Sequence, residues 1–472
     1  MQFDSFTFLI FFGVALAIYN ALRGWNARKW FLLGASYVFY AAWNPYFLLL
    51  LIGSTTLDWW IAHRIDAAQQ PRVRKAWISL TLAVNLGVLA VFKYDRFMLD
   101  NLASALSLLG VHYQPPRFDI VLPIGISFYT FHSLSYCIDV YRRKFKPTND
   151  WRDYALYVAF FPQLVAGPIT RFTQMRAQIE NPRSTSRDGL SLGCALLILG
   201  LFEKNVLADS IFAPVADAFF NDVAGSGSSA AWSGVFAFTG QIFCDFAGYS
   251  TCAIGAALAF GFELPINFNF PYAAVGFSDF WRRWHISLST WLRDYLYISL
   301  GGSRRGEIRT YVNLMLTMLI GGLWHGAAWT FVIWGGLHGL YLAVEHAIRE
   351  RFLSRTTMTA PVKFLYGLFT LFLVVVAWVW FRSPDVATAI SVFAKMLGTG
   401  VIDNVVAFSA SQKLSVAAFV FVVAIHWLMR ERNFIADAQR VPRPVLGIAL
   451  GILLALIILS PGDNHAFIYF QF

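Results

Sequence analysis

Long apolar segments separated by short polar loops make up almost the whole chain. These segments lie at residues 6–22, 30–62, 77–95, 119–139, 152–170, 190–220, 231–262, 310–345, 362–381, 414–429 and 444–461. Because a helix needs ~20 apolar residues to cross a bilayer, some segments suffice for one pass and others for two. The pattern therefore predicts about eleven to thirteen membrane segments, several of them too short to span the membrane alone.

The composition agrees with this pattern. Of the 472 residues, 57% are hydrophobic and only 14% are charged, and the mean hydropathy is +0.55. A soluble domain usually carries about 25% charged residues. We therefore predict an all-α, polytopic integral membrane protein that forms a single domain over residues 1–472.

The net charge of +10 comes from basic residues in short loops between the apolar segments. This distribution is typical of cytoplasmic loops and does not indicate a nucleic-acid partner. We predict that loops 23–29, 64–75 and 431–443 are cytoplasmic. The Asn44-Pro45 pair interrupts segment 30–62, so two short crossings would return the chain to the cytoplasm. Both termini are then predicted to lie on the outer side of the membrane, in the periplasm or outside the cell.

Two histidines lie in the apolar stretch 321-GGLWHGAAWTFVIWGGLHG-339. Basic residues flank the surrounding segment on both sides, so the chain is expected to enter the membrane and return, with arms of about fifteen residues or roughly 22 Å. A Gly-rich turn at 321–326 would then lie within the ~30 Å hydrocarbon core, where irregular backbone must be buried or line a wet cavity. We predict His325 at the bottom of a cavity open to the outside and His338 nearer the cytoplasm. The alternative is that each histidine only packs.

The segment 277–306 has the pattern of one amphipathic helix at the cytoplasmic surface. Its apolar stripe comprises Trp281, Trp284, His285, Leu288, Trp291, Leu292 and Tyr295. Ser278 or Asp279 is the expected N-cap. The arginines suit a polyanionic ligand, since guanidinium groups bind phosphate in a fork, or else the lipid headgroups. The candidates are Arg282, Arg283, Arg293, Arg304 and Arg305.

Two further patterns carry polar groups. Gln241, Asp245 and Tyr249 recur every four residues and should share one helix face, where Asp245 either orients a histidine or holds helices together. In 157-YVAFFPQLVAGPITRF-172, the prolines break the helical pattern. This break predicts either a re-entrant segment or a Pro-kinked helix.

Six motifs in this order resemble the membrane-bound O-acyltransferase (MBOAT) family, in the bacterial branch of the AlgI-like alginate O-acetylation proteins, related to the DltB-like D-alanyl transfer proteins. They are 122-LPIGISFYTFHSLSYCIDVYR-142, 161-FPQLVAGPITR-171, 241-QIFCDFAGYS-250, 280-FWRRWHISLSTWLRDYLYI-298, 322-GLWHG-326 and the terminal FIYFQF. The resemblance runs over nearly the whole chain. It implies a fold with funnels on both faces, a motif core at about 120–345 and C-terminal helices at 362–472.

The resemblance also implies site residues. His325, in the Trp324-His325-Gly326 triplet, matches the signature histidine of the family, and His285 matches its second site forty residues earlier. We expect His325 to act as the general base, with an acyl-histidine relay as the rival mechanism, and His285 to polarise the thioester carbonyl. His338 has no clear counterpart. Trp324, His338, Gln241, Asp245 and Tyr249 are candidate supporting groups.

The implied reaction is O-acetyl transfer from cytoplasmic acetyl-CoA to a secreted or periplasmic polysaccharide, alginate-like or cellulose-like, at the bacterial inner membrane. The implied partners are periplasmic acetyltransferases of the SGNH-like type and the membrane lipids. We expect no metal, because the four cysteines lack metal-like spacing, and no permanently bound cofactor. The alternatives are D-alanyl transfer from a carrier protein, a lipid or sugar transporter without catalysis, and an inactive scaffold that docks periplasmic partners.

Overall fold

The computed structural model describes residues 1–117, 120–349, 358–399, 408–432, 436–437, 440–460 and 467–468, and the regular secondary structure in these ranges is helical. The predicted loop 431–443 and the terminal FIYFQF lie partly outside these ranges. Seven helical runs within them are long and apolar enough to cross a membrane, and three shorter helices are also apolar. The prediction of an all-α, polytopic membrane protein is confirmed. The exact number of crossings stays a prediction.

The chain divides into two compact units. The first unit comprises Met1–Cys194 and Ala253–Pro265. Its helices are α1 (Phe6–Ala21), α2 (Trp25–Ala41), α3 (Pro45–Ala67), α4 (Pro71–Leu89), α5 (Asp95–Leu108), α6 (Ile126–Tyr141), α7 (Trp151–Ala159), α8 (Phe161–Leu164) and α9 (Phe172–Glu180). A π-helical turn, Ala90–Tyr94, joins α4 to α5.

The second unit comprises Ala195–Cys252 and Ile266–Phe472. Two helices have residues in both units: α10 (Arg187–Leu201) and α12 (Ser228–Ala259). The other helices of this unit are α11 (Ala213–Asn221), α13 (Phe277–Arg283), α14 (Ile286–Trp291), α15 (Glu307–His325), α16 (Trp329–Ile348), α17 (Ala360–Arg382), α18 (Val386–Met396), α19 (Ala410–Met429) and α20 (Arg443–Leu459). The division into two units does not test our expectation that residues 1–472 form a single domain, which stays a prediction.

The break at Asn44-Pro45 is confirmed. Helix α2 ends at Ala41, and α3 begins at Pro45, where the missing backbone N–H of proline removes no helical hydrogen bond. The Asn44 side chain accepts a hydrogen bond from the Tyr46 N–H at 3.0 Å and so caps α3. Local sequence alone specifies this boundary.

In the first unit, the chain between α8 and α9 is irregular and almost entirely buried. Buried backbone groups need partners, and side chains supply them here. The Thr170 N–H donates to Nε2 of His132 at 3.2 Å, and the Thr170 hydroxyl donates to Oε1 of Gln163 at 2.7 Å. The Tyr157 hydroxyl donates to the Thr170 carbonyl at 3.0 Å. The prolines therefore mark a true interruption of the helix and not a simple kink.

Helices α15 and α16 form the predicted hairpin, but the Gly-rich turn at 321–326 was placed wrongly. The helix continues through His325, and only residues 326–328 are irregular. The arms have 19 and 20 residues, or about 28 and 30 Å, longer than expected. The glycines serve close helix packing instead: a Cβ on Gly322 would lie 2.3 Å from the Phe331 carbonyl oxygen and 3.0 Å from Cα of Gly335.

The segment 277–306 is not one helix. All seven residues of the predicted stripe are buried, yet α13 ends at Arg283 and α14 begins at Ile286. The interruption is fixed from outside the segment, because the Ile286 N–H donates to the Asn267 carbonyl and the Asn269 N–H donates to the Arg283 carbonyl, both at 2.9 Å. Pairing with residues 267–269 thus replaces the helical hydrogen bonds.

The start of α13 is capped by a residue that the sequence did not suggest. The Phe277 and Ser278 N–H groups donate to Oε2 of Glu345, at 2.6 and 2.9 Å. Asp279, which we expected as a cap, instead accepts from the Val275 N–H and pairs with Arg283 and Arg430. Burial alone would raise the pKa of Asp279, but these three donors together lower it below its usual value. This ionised carboxylate joins α13 to the end of α19.

Candidate active site

His325 is the last residue of α15 and lies in an aromatic environment. Its ring centroid is 4.9 Å from that of Trp324, 5.0 Å from that of Trp334 and 5.3 Å from that of Phe381. The side chain is only 3% exposed. An imidazole surrounded by such rings has its orientation fixed by packing, which is what a proton-transfer group needs.

The glycine after His325 has a steric reason. A Cβ on Gly326 would lie 2.1 Å from Cε2 of Phe331. The Phe331 ring is itself in edge contact with Phe381, at 4.9 Å between centroids, and Phe381 contacts His325. Only glycine at this position lets the rings that surround His325 close around it.

His285 lies in the interruption between α13 and α14, outside the seven candidate membrane spans. Its backbone is left-handed, with φ 42° and ψ 54°, which is rare for a residue other than glycine and indicates local strain. The side chain is fully buried. Burial lowers the pKa of His285 to about 3, so the ring is neutral near pH 7.

The structure brings His285 and His325 together from elements forty residues apart. Their ring centroids are 6.4 Å apart, and the Trp324 ring contacts both. Two imidazoles at this distance can address two atoms of one reacting group, one accepting a proton while the other polarises a carbonyl. The predicted cavity above His325 stays a prediction.

His338 belongs to the same cluster but does not contact the pair directly. Trp334 lies between His338 and His325, with centroids 4.8 and 5.0 Å from theirs. Rings of Phe280, Trp281 and Tyr341 complete the surroundings of His338. Among the described residues, neither of its ring nitrogens has a hydrogen-bond partner. A packing role on α16 therefore explains its position without any chemistry.

The candidate arginines differ in accessibility. Arg283 is buried, and its guanidinium donates to Asp279 at 3.0 Å and to the carbonyls of Asn269 and Arg430 at 3.2 and 3.0 Å. These internal bonds remove Arg283 from the candidates for a donor site. The other four candidates are exposed: Arg282, Arg293, Arg304 and Arg305.

Gln241, Asp245 and Tyr249 lie on one helix, α12, as their spacing predicted, and all three are buried. Asp245 pairs with Lys204 at 2.6 Å. Sequence reasoning missed Lys204, although a lysine inside the apolar segment 190–220 was a signal, because a buried cation needs a counter-ion. It also missed Phe246 and Phe381, because the chain contains 45 phenylalanines and nothing in the sequence marks these two as neighbours of the histidines.

Residues 150–361 match the family described as "MBOAT, membrane-bound O-acyltransferase family". Over 406 residues the chain is 45% identical to the "Probable alginate O-acetylase AlgI" of Pseudomonas aeruginosa, covering 85% of this chain and 75% of that protein. It is 38% identical to the "Peptidoglycan O-acetyltransferase" of Helicobacter pylori, covering 79% and 74%. It is 27% identical to the "Teichoic acid D-alanyltransferase" of Streptococcus thermophilus, covering 57% and 71%.

Proposed function

Because this chain belongs to the membrane-bound O-acyltransferase family and is therefore a membrane acyltransferase, we propose that it carries acetyl groups from cytoplasmic acetyl-CoA across the inner membrane for O-acetylation of a secreted or periplasmic polysaccharide. The 45% identical relative named as an alginate O-acetylase supports acetyl as the acyl group. The D-alanyl relatives, at 27% identity, make D-alanyl transfer the weaker alternative. Because the members of this family are described as acyltransferases, the alternative of a transporter without catalysis is no longer needed.

The observation that carries the proposal is the contact between His285 and His325. His325 accepts the proton of the acceptor hydroxyl as its oxygen attacks the thioester carbonyl carbon, while His285 polarises that carbonyl. The carbon–sulfur bond breaks, the proton passes to the leaving thiolate, and the products are an O-acetyl ester and free CoA. A neutral imidazole suits this role because its ordinary pKa lies near the working pH.

The donor side of the proposal rests on charge. Arg282, Arg293, Arg304 and Arg305 are exposed and lie in the basic region that we predict to be cytoplasmic. Their guanidinium groups match the phosphates of CoA in geometry and charge. On the other side, a periplasmic acetyltransferase of the SGNH-like type would pass the acetyl group to the polymer, and both termini would face the periplasm.

The test measures release of free thiol from acetyl-CoA by purified protein in detergent with an oligosaccharide acceptor. His325→Ala and His285→Ala should each lower the rate, by about 10²- to 10⁴-fold for the base. His112→Ala, which changes an exposed histidine, is the control and should keep the wild-type rate. If the wild type releases no thiol, or His325→Ala releases it at the wild-type rate, the proposal is wrong. Labelled acetyl retained on the protein without acceptor would favour the acyl-histidine relay.

The acceptor polymer has two candidates with support from the relatives. The alginate O-acetylase and peptidoglycan O-acetyltransferase relatives are 45% and 38% identical and cover similar shares of the chain. In cells that carry His325→Ala, the acceptor is the polymer whose O-acetyl content falls. Loss from an exopolysaccharide would support the first candidate, and loss from peptidoglycan the second.

A further inference from the structure

A buried group of three charged side chains lies beside the second unit's histidine pair. Lys204, in the π-helical segment Phe202–Phe212, pairs with Asp209 at 2.8 Å and with Asp245 at 2.6 Å. All three side chains are no more than 5% exposed. Burying charges is unfavourable unless their partners are well placed, so such a group usually serves a specific structural or functional purpose.

Asp245 also holds the backbone of a distant segment. Its Oδ1 faces Lys204, and its Oδ2 accepts a hydrogen bond from the Ile468 N–H at 2.9 Å. The carboxylate therefore fixes the backbone of a segment more than two hundred residues away in sequence. The neighbouring Phe467 ring packs on Tyr249, at 4.7 Å between centroids, and on Phe246, at 5.5 Å.

The same segment reaches His285 through one further ring. The Phe246 and His285 rings are in edge-to-face contact, with centroids 4.6 Å apart and planes at 81°. Phe246 follows Asp245 directly in the chain. The contacts thus run from Lys204 to Asp245, from Asp245 to the Ile468 N–H, and from the neighbouring Phe467 ring through the Phe246 ring to the His285 ring.

We propose that Asp245 is a positioning residue for His285, acting through the Ile468 backbone and the rings of Phe467 and Phe246. The proposal rests on the function proposed above, in which His285 polarises the thioester carbonyl. His285 needs such support because its backbone is in a strained conformation that the surroundings must maintain. Lys204 compensates the charge of the Asp245 carboxylate. This carboxylate holds the Phe467–Ile468 segment in place, and the Phe467 ring in turn supports the Phe246 ring that packs on the His285 imidazole.

The matched variants are Asp245→Asn and Asp209→Asn. Each removes one carboxylate charge that pairs with Lys204, and Asp245→Asn also changes the group that accepts the Ile468 N–H. A misplaced catalytic group loses rate and not substrate affinity, so Asp245→Asn should lower kcat by about 10- to 100-fold with the KM for acetyl-CoA unchanged. Asp209→Asn should keep kcat close to the wild type. Equal losses in both variants would show that the charged group only stabilises the fold and would overturn the proposal.

A second pair of variants tests the aromatic contact. Phe467→Ala should lower kcat to the same degree as Asp245→Asn, and the conservative Phe467→Tyr should restore most of it. In a double variant that combines Asp245→Asn with Phe467→Ala, the losses of kcat should not add, because both substitutions act on the same series of contacts. Additive losses, or a Phe467→Ala variant with wild-type kcat, would contradict the proposal even if Asp245→Asn did not fold.

Hydrogen exchange at the C-terminal peptide separates this inference from the proposed function. The Ile468 amide should exchange faster in Asp245→Asn than in Asp209→Asn or the wild type, whatever the reaction turns out to be. If the wild type lacks thioester turnover, the proposed function is wrong, but the exchange rates still show whether Asp245 holds the Ile468 N–H. If turnover is present but the exchange rates are equal, the positioning role alone is wrong.

Discussion

At the scale of single residues, His285 has a left-handed backbone, so two substitutions can distinguish the role of its side chain from the strain in its backbone. We expect His285→Gly and His285→Ala to be equally inactive, since both remove the imidazole. Glycine adopts this conformation without a Cβ penalty, so the glycine variant should be more stable than the alanine variant by up to about 1 kcal/mol. Thermal unfolding in detergent measures the difference, and a less stable glycine variant would show that the backbone is not strained.

The sequence identified this residue but not its conformation. Trp281, Leu288 and Trp291 keep helical spacing across the interruption, so the pattern predicts an unbroken helix. The interruption depends on hydrogen bonds with Asn267 and Asn269, which are distant contacts that no local pattern encodes. The burial of the stripe was therefore predictable, whereas the turn that points His285 toward His325 was not.

At the scale of elements, the packing of α15 on α16 depends on which glycine faces the partner helix. A Cβ on Gly335 would lie 2.3 Å from the Met318 carbonyl oxygen, whereas one on the adjacent Gly336 would lie 3.4 Å from Cδ2 of Leu319. Gly335→Ala should therefore destabilise the protein by about 1–3 kcal/mol through overpacking. Gly336→Ala should be neutral or slightly stabilising. Thermal midpoints of the two variants in the same detergent test this, and equal midpoints would contradict it.

The hairpin itself was predictable because basic residues flank one long apolar segment. The position of its turn was not. Glycines favour turns in a sequence, but in tightly packed membrane helices they also allow close approach of two backbones. Which of these two uses applies to Gly322 depends on the residue that faces it on α16, and this residue is Gly335.

At the scale of the whole molecule, the charge pattern predicts how α3 is oriented in the membrane. Ala42 precedes α3 on the predicted outer side, and Gln69 follows it on the predicted cytoplasmic side, and both are exposed. In a background with the exposed Cys194 replaced by serine, an impermeant maleimide added to whole cells with a permeable outer membrane should label Ala42→Cys but not Gln69→Cys. Inverted vesicles should give the opposite result. Labelling of Gln69→Cys from outside would reverse the predicted topology.

Most of the membrane architecture follows from apolar length and loop charge, since these depend on the bilayer and not on tertiary contacts. The buried charged group of Lys204, Asp209 and Asp245 does not follow in the same way. Lys204 and Asp209 pair within one helical segment, but the pairing of Lys204 with Asp245 appears only when that segment packs on α12.

The irregular segment between α8 and α9 has a consequence for biosynthesis. As the re-entrant membrane segment that the sequence predicts, its buried backbone cannot enter lipid alone, because groups such as the Thr170 N–H would lack a partner there. His132, which accepts that hydrogen bond, is on α6 and leaves the ribosome earlier. Insertion of this segment by the translocon must therefore wait for a neighbour that is already in place. A substitution of His132 should consequently lower the amount of protein that reaches the membrane more than the turnover of the molecules that do.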